Sequence, residues 1–330
     1  MLALPDILPI RPYFREMVWG GRQLQELYDK DLPPNDNIGE SFELSAYAQR
    51  ESVVAAGTLA GWSLPRLVEV YGAELMGREI WERCGSEFPL LIKFLDAQQD
   101  LSIQVHPDDV YARAKGLGDR GKMEAWYVVS SQGGRIAYGL EEGVDQASFI
   151  AAIEEDRVEE VVPFIEVKTG DVVFLPPGTV HALCGGVVVY EVQQSSDLTF
   201  RLYDYKRPGL DGKLRELHVE QALEVIDFDA NLDGPRNWRT LPQAQDDGAA
   251  LIESEYFRLE LCRALDGRRE HVAPGSFAAL TLVGGAAEVR GSQESYRLRR
   301  GDTVLVPAER AFVVEQRGEE VAEYLLASAV

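Results

Sequence analysis

Along most of the chain, apolar residues come in short runs or alternate with polar ones, and Gly, Pro, Asn or Asp close each run. That periodicity predicts strands. The clearest are Leu90–Leu95, Leu101–Val105, Ala125–Val129, Val172–Leu175 and Val187–Val192. Helical spacing is rarer. Ser63–Met76 opens on a capping residue, carries Leu64, Leu67, Val68, Tyr71 and Leu75 on one face, and ends at Gly77. Asp145–Ile153 and Glu216–Ile226 read the same way, and Asp108 caps a short helix stopping at Gly116. Many short strands with a few peripheral helices predict a mainly β protein with a barrel or sandwich core.

An internal repeat refines this expectation. Gly170-Asp171-Val172-Val173-Phe174-Leu175-Pro176 recurs as Gly301-Asp302-Thr303-Val304-Leu305-Val306-Pro307, 131 residues later. Each copy reads as a turn feeding a buried strand that ends at a proline. Two related barrels are therefore expected, divided near the Asp-, Asn-, Gly- and Pro-rich stretch 227–247. The copies differ chemically: His181 stands eleven residues after Gly170, and Phe312 eleven after Gly301. The first barrel is expected to carry chemistry and the second to be structural.

Composition narrows the function classes. A chain of 330 residues is long enough for two ordinary domains, and its 45% hydrophobic content is that of a globular protein. The formal net charge of -22 repels nucleic acid and anionic lipid, so neither is expected as a partner. An anionic ligand would need local cations to hold it. Residues 1–20 lack a basic segment followed by an apolar run and are not read as a signal peptide, and no apolar stretch approaches membrane-spanning length. Three dispersed cysteines, Cys84, Cys184 and Cys262, fit a reducing cytoplasm better than a disulfide framework.

The candidate chemistry lies in three segments. In Leu101-Ser102-Ile103-Gln104-Val105-His106 strand alternation puts Ser102, Gln104 and His106 on one face. Polar groups on one face of an apolar strand are costly unless paired. Lys122, Glu124 and Trp126 share a face by the same argument, and Pro176-Pro177-Gly178-Thr179-Val180-His181 delivers a histidine from a tight turn. Gln104, His106, Glu124 and His181 together form a four-ligand set suited to one Zn²⁺, and tolerant of Fe²⁺ or Mn²⁺. The other two histidines, His218 and His271, have no such setting and are read as surface or structural groups.

These segments resemble a known family. Gly170-x5-Pro176-Pro177-Gly178-x2-His181 matches the second cupin motif, while Gln104-Val105-His106, with Glu124 displaced further along, is an altered first motif. That alteration is similar to the type I mannose-6-phosphate isomerases. So are Trp19-Gly20-Gly21, Gly39-Glu40-Ser41-Phe42-Glu43, Gly121-Lys122-x-Glu124-x-Trp126 and Gln194-Ser195-Ser196-Asp197 through Arg201. The likeness spans residues 19–207 and is to the short bacterial form. Phe42 departs from it, since the family usually has Trp there. Beyond residue 228 the likeness rests on the cupin-like repeat.

The resemblance implies two cupin-like β-barrels of the jelly-roll type: a catalytic unit over 1–228 and one without metal ligands over 229–330. It implies a metal-dependent interconversion of mannose 6-phosphate and fructose 6-phosphate through a cis-enediol, with zinc the expected metal. Arg201 is implied as a catalytic-pocket arginine, with Ser102 and Lys122 binding the sugar phosphate. Lys122 is also a candidate catalytic group, alongside metal-bound water and a carboxylate, for the general base. Lys206 and Arg207 are weaker candidates for the phosphate, and Glu40 and Glu43, three apart on a strand, should face opposite sides. An iron dioxygenase would keep an intact H-x-H motif, which is missing here. A non-catalytic sugar-binding cupin should lose Lys122 and Arg201, and an isomerase of another aldose would share all these features.

Overall fold

The computed structural model describes residues 2–34 and 36–330. Its strands form four sheets stacked in two facing pairs. In the first pair, a seven-stranded sheet runs in the order Arg236–Asn237, Asp171–Leu175, Glu124–Ser131, Val187–Gln194, Leu90–Ala97, Tyr13–Gly21, Ile38–Leu44. It faces a five-stranded sheet of Phe200–Tyr203, Ile103–Val105, His181–Leu183, Arg135–Tyr138 and Phe164–Glu166. The second pair has seven and four strands. No sheet among the described residues closes on itself, so each expected barrel takes the open double-sheet form of a jelly roll.

The two pairs repeat each other. Asp171–Leu175 lies beside Glu124–Ser131 as Thr303–Val306 lies beside Ala278–Gly284. Val187–Gln194 and Glu323–Ala329 come next, followed by Leu90–Ala97 and Phe257–Arg263. Sequence neighbours are nevertheless exchanged between the pairs. Leu8–Arg11 and Val53–Val54 join the second pair, where Leu8 sits opposite Leu305, and Arg236–Asn237 joins the first. The largest apolar cluster lies where the two large sheets meet, with Phe94, Tyr190 and Ile92 of one against Leu259, Leu305 and Leu325 of the other.

Most predicted elements appear with shifted ends. The capped helix is Asp109–Ala114, with Asp108 accepting from the Tyr111 amide at 2.7 Å. The second is Gln146–Glu154 and the third Val219–Val225, three residues shorter at its start than expected. The expected helix over 63–76 is two, Leu64–Tyr71 and Ala73–Met76, because Gly72 turns to a φ of 44° beneath the Trp81 ring. Ser63 sits at the start of the first without a side-chain capping bond. A further helix, Arg78–Cys84, had no sequence expectation. No helix among the described residues is long and apolar enough to cross a membrane.

One buried group in the scaffold makes stability depend on pH. Asp96 is fully buried; its Oδ2 accepts from the Leu24 amide at 3.3 Å and its Oδ1 has no partner. Burial pushes its carboxyl from 3.8 up to about 6. A folded-state value above the unfolded one means stability that is present below 3.8 and lost as the pH rises through about 6. Asp96→Asn keeps the acceptor and stays uncharged. It should raise stability at pH 8 by up to about 3 kcal/mol and change it little at pH 4. Equal gains in urea unfolding at both pH values would rule out ionisation as the cause.

Candidate metal centre

Four residues converge at the mouth between the two sheets of the first pair. Gln104 lies in the middle strand of three: His181 pairs with it on one side and Arg201 on the other. His106 follows one residue beyond the Ile103–Val105 strand. Glu124, the first residue of its strand, reaches in from the opposite sheet. Turns fix this convergence. Gly178, at φ 86°, donates its amide to His106 O at 2.9 Å, and a Cβ there would meet Val225 O at 2.9 Å. Gly121 presses against Asp108 and Asp109 where a Cβ would come within 2.3 Å of backbone, which seats Lys122 beside Glu124.

The donor atoms of His106, Glu124 and His181 all lie within 4.8 Å of one another, and all three residues are buried. Nδ1 of His106 is 2.7 Å from Leu198 O and Nδ1 of His181 is 2.9 Å from Thr179 O. Each Nδ1 therefore carries the ring proton, and each Nε2 lone pair points into the site. Those lone pairs meet a carboxylate. Glu124 Oε1 is 3.1 Å from His181 Nε2 and Oε2 is 3.6 Å from His106 Nε2. Acceptor against acceptor repels, and neither Glu124 oxygen has a hydrogen-bond partner. Lys122 Nζ approaches Oε2 at 2.8 Å as an ion pair outside hydrogen-bond geometry. Burial, reinforced by Lys122, holds the His106 ring well below the usual histidine range, so it stays neutral. Burial opposes ionisation of Glu124, but the Lys122 ammonium beside it favours the charge, and its carboxyl lies well below the ordinary range. A neutral, a second Nδ1-protonated imidazole and a bare carboxylate fit a divalent cation.

Gln104 completes the set in a conditional way. Its amide nitrogen lies 3.5 Å from His106 Nε2 and 3.4 Å from His181 Nε2. The two amide orientations have the same shape, and the other one turns Oε1 inward as a neutral oxygen donor. Ser102 and Arg201 stand beside it: Arg201 Nε donates to Ser102 Oγ at 3.2 Å and Nη1 to Glu216 O at 2.9 Å, so neither bond engages Nη2. Phe200 and Leu202 are buried on the opposite face from Arg201, as strand alternation requires. His218 is tied to this arginine, since its Nδ1 accepts the Arg201 amide at 3.2 Å. Lys206 is exposed and pairs with Asp156. Arg207 and Arg215 both pair with the buried Asp204.

The second sheet pair has lost this set. In the repeated register, Phe312 stands for His181 and faces His271 where Gln104 would be, and Ala278 stands where Glu124 is. His271 instead meets Tyr324 OH at 2.6 Å.

Sequence reasoning passed over a buried ionic cluster next to the site. Lys93 Nζ is 3.1 Å from Glu40 Oε1 and 3.5 Å from Glu191 Oε1, and Arg15 holds the other Glu40 oxygen at 2.9 Å. Trp126 Nε1 donates to Glu191 Oε2 at 2.9 Å, and the Trp126 ring stands edge-on to His181. Burial and then Glu124 raise the Glu191 carboxyl. Arg50 pairs with Asp197 at 2.7 Å on the rim. The available signal was a single charge inside each of two apolar runs, Leu-Leu-Ile-Lys-Phe-Leu and Val-Val-Val-Tyr-Glu-Val. A strand buried on both faces puts such a charge indoors, where it needs a partner.

The chain is similar to known proteins over most of its length. A family model described as phosphomannose isomerase type I, catalytic domain, matches residues 7–126. The mannose-6-phosphate isomerase ManA of Bacillus subtilis is 34% identical over 300 residues, covering 90% of this chain and 91% of the relative. A mannose-6-phosphate isomerase of Streptococcus mutans is 33% identical over 307 residues, covering 92% and 93%. The crystal structure of the Bacillus subtilis mannose 6-phosphate isomerase superposes with a TM-score of 0.86 at 29% identity, covering 98% of this chain and 99% of that one.

Proposed function

The chain belongs to the type I mannose-6-phosphate isomerase family, and from that premise we infer that it interconverts mannose 6-phosphate and fructose 6-phosphate. The observation that carries this reading is the meeting of two outward-anchored imidazoles and a bare buried carboxylate with the cations Lys122 and Arg201. Gln104, His106, Glu124 and His181 would hold one divalent cation, zinc by the chemistry of the set, and when bound its charge would polarise the reacting carbonyl of the sugar. Binding falls to Ser102, Lys122 and Arg201. A base beside the sugar takes the proton from C2 and returns it to C1, and the negative charge that develops between the two transfers is met by Arg201, through Nη2, and by Lys122. Lys122 and Arg201 are thus the catalytic residues of this reading.

The same reading makes 1–228 the catalytic unit and 229–330 a supporting one, with strands exchanged at the boundary. Three free cysteines and a strongly acidic surface suit a cytoplasmic enzyme acting on a small sugar phosphate.

Isomerase activity on mannose 6-phosphate, followed in a coupled assay on chelator-stripped and zinc-restored protein, tests the reading. Turnover that disappears on stripping and returns with zinc is the expected result. Fully metallated, folded protein without turnover on this sugar would move the substrate to another aldose. Substitution of Arg201 by Ala should lower kcat by about 10²-fold or more with zinc retained, since charge stabilisation of this kind contributes on that scale.

A further inference from the structure

On the side of the large sheet away from the site, a second buried polar network has no part in the proposed reaction. Side chains alternate across the Ile38–Leu44 strand. Glu40 and Phe42 face Lys93, and Ser41 and Glu43 face the second sheet pair. Glu43 Oε1 accepts from Lys30 Nζ at 2.7 Å and from Ser41 Oγ at 2.5 Å, and Oε2 accepts from Thr303 Oγ1 at 3.1 Å. Lys30 also donates to Gly301 O at 2.9 Å. Because a carboxylate only accepts from a hydroxyl, the proton directions follow. Thr303 spends its single proton on Glu43, so Thr281 donates to Thr303 at 2.9 Å and Tyr190 donates to Thr281 at 3.1 Å. Every member of this chain is buried.

Two of the anchors, Gly301 and Thr303, belong to the second copy of the Gly-Asp repeat. The first copy leads to His181; the second leads to Phe312 and grips the neighbouring sheet instead. The gripped strand needs fixing. Its ladder to Tyr13–Gly21 slips register twice, and its ladder to Leu90–Ala97 slips between Phe42 and Leu44. Backbone pairing alone leaves its position weakly specified, whereas a fully satisfied buried polar network specifies one arrangement.

We propose that Thr303, Gly301 and the Lys30–Glu43 pair are a positioning device, by which the second sheet pair holds the Ile38–Leu44 strand so that Glu40, on its other face, fixes Lys93 against Glu191 beside the metal residues. The role rests on the isomerase reading above and adds to it a task for the sheet pair in which Phe312 stands for His181. Thr303→Val keeps the shape and removes the donor. It should lower kcat by about tenfold, the scale on which supporting groups act, with KM and bound zinc unchanged. Thr303→Ser, which restores the hydroxyl, should return kcat to within about twofold. Thr281→Val removes the donor to Thr303 and should act in the same direction less strongly; it replaces Thr303→Val as the decisive variant should that protein not fold. Wild-type kcat in the valine variant, whatever its melting temperature, overturns the proposal, and so does a loss that serine fails to restore. Wild-type protein with zinc but without turnover of mannose 6-phosphate would instead remove the mannose 6-phosphate reading itself, before any variant is compared.

Discussion

Glu124→Gln should cost the enzyme at least about 10³-fold in kcat/KM and most of its bound metal, because it removes the only anionic donor of the set. The substitution keeps the size of the side chain, so the two imidazoles stay anchored to Leu198 O and Thr179 O. What changes is charge. Glutamate offers two oxygens without hydrogen-bond partners beside the two Nε2 atoms, and glutamine offers one neutral oxygen and an amide that can donate to an Nε2 lone pair. A donating amide satisfies the imidazoles internally and takes away the repulsion that a cation relieves. Activity alone would not separate lost metal from lost geometry. The second measurement is the rise in Tm on adding zinc to stripped protein: a ligand present at 1,000 times its Kd stabilises by about 4 kcal/mol. Wild type should show a rise of that order and the variant almost none. A variant that keeps the full zinc-dependent rise would place the metal elsewhere.

How far this site could be read from sequence depended on the distance over which its geometry is decided. Ser102, Gln104 and His106 were legible because strand alternation is local, and the Pro-Pro-Gly turn delivering His181 is local too. Their meeting with Glu124 was not local, since it joins two sheets, and there the donor chemistry of the four side chains grouped what periodicity could not. Lys93 and Glu191 were missed for a related reason. Each looks like an isolated interruption of an apolar run until Leu90–Ala97 and Val187–Gln194 are seen side by side, with Lys93 directly opposite Glu191.

The fold shows the same division. The Gly-Asp repeat foretold two copies of one strand order, but not that Leu8–Arg11 crosses to the second copy, because nothing in four residues specifies a partner almost 300 positions away. The helix over 63–76 was overextended because Leu75 continues the apolar spacing straight through Gly72. The break is imposed by packing: the positive φ of Gly72 makes room for Trp81, which belongs to a helix the sequence pattern did not reveal. Glu40 and Glu43 went the other way. Their spacing of three put them on opposite faces, and those faces proved to be the metal side and the junction between the sheet pairs.

Lys93→Met should be among the most destabilising single substitutions in the molecule at neutral pH, and its cost should fall as the solution is acidified. Lys93 is buried with Glu40 and Glu191 as its partners, and Arg15 reaches only Glu40. Burial opposes the charge on Lys93, but Glu40 and Glu191 outweigh it and raise its pKa. Burial likewise opposes ionisation of Glu40, and Lys93 and Arg15 outweigh it and lower that carboxyl. A depressed carboxylate contributes stability above its unfolded pKa that is lost as the pH falls through its folded one. Removing the lysine leaves the buried Glu191 without its cation and Glu40 with Arg15 alone, a loss of about 3–5 kcal/mol at pH 8. In the variant both carboxyls can escape by binding protons, so the deficit in urea unfolding should shrink by pH 5. Adding Glu40→Gln to Lys93→Met should recover part of it at pH 8, although Glu40→Gln alone should weaken the wild type by leaving Lys93 with one partner. That sign reversal separates an ionic cluster from a cavity. A cavity left by a shorter side chain costs the same at every pH, and a second substitution beside it does not repair it.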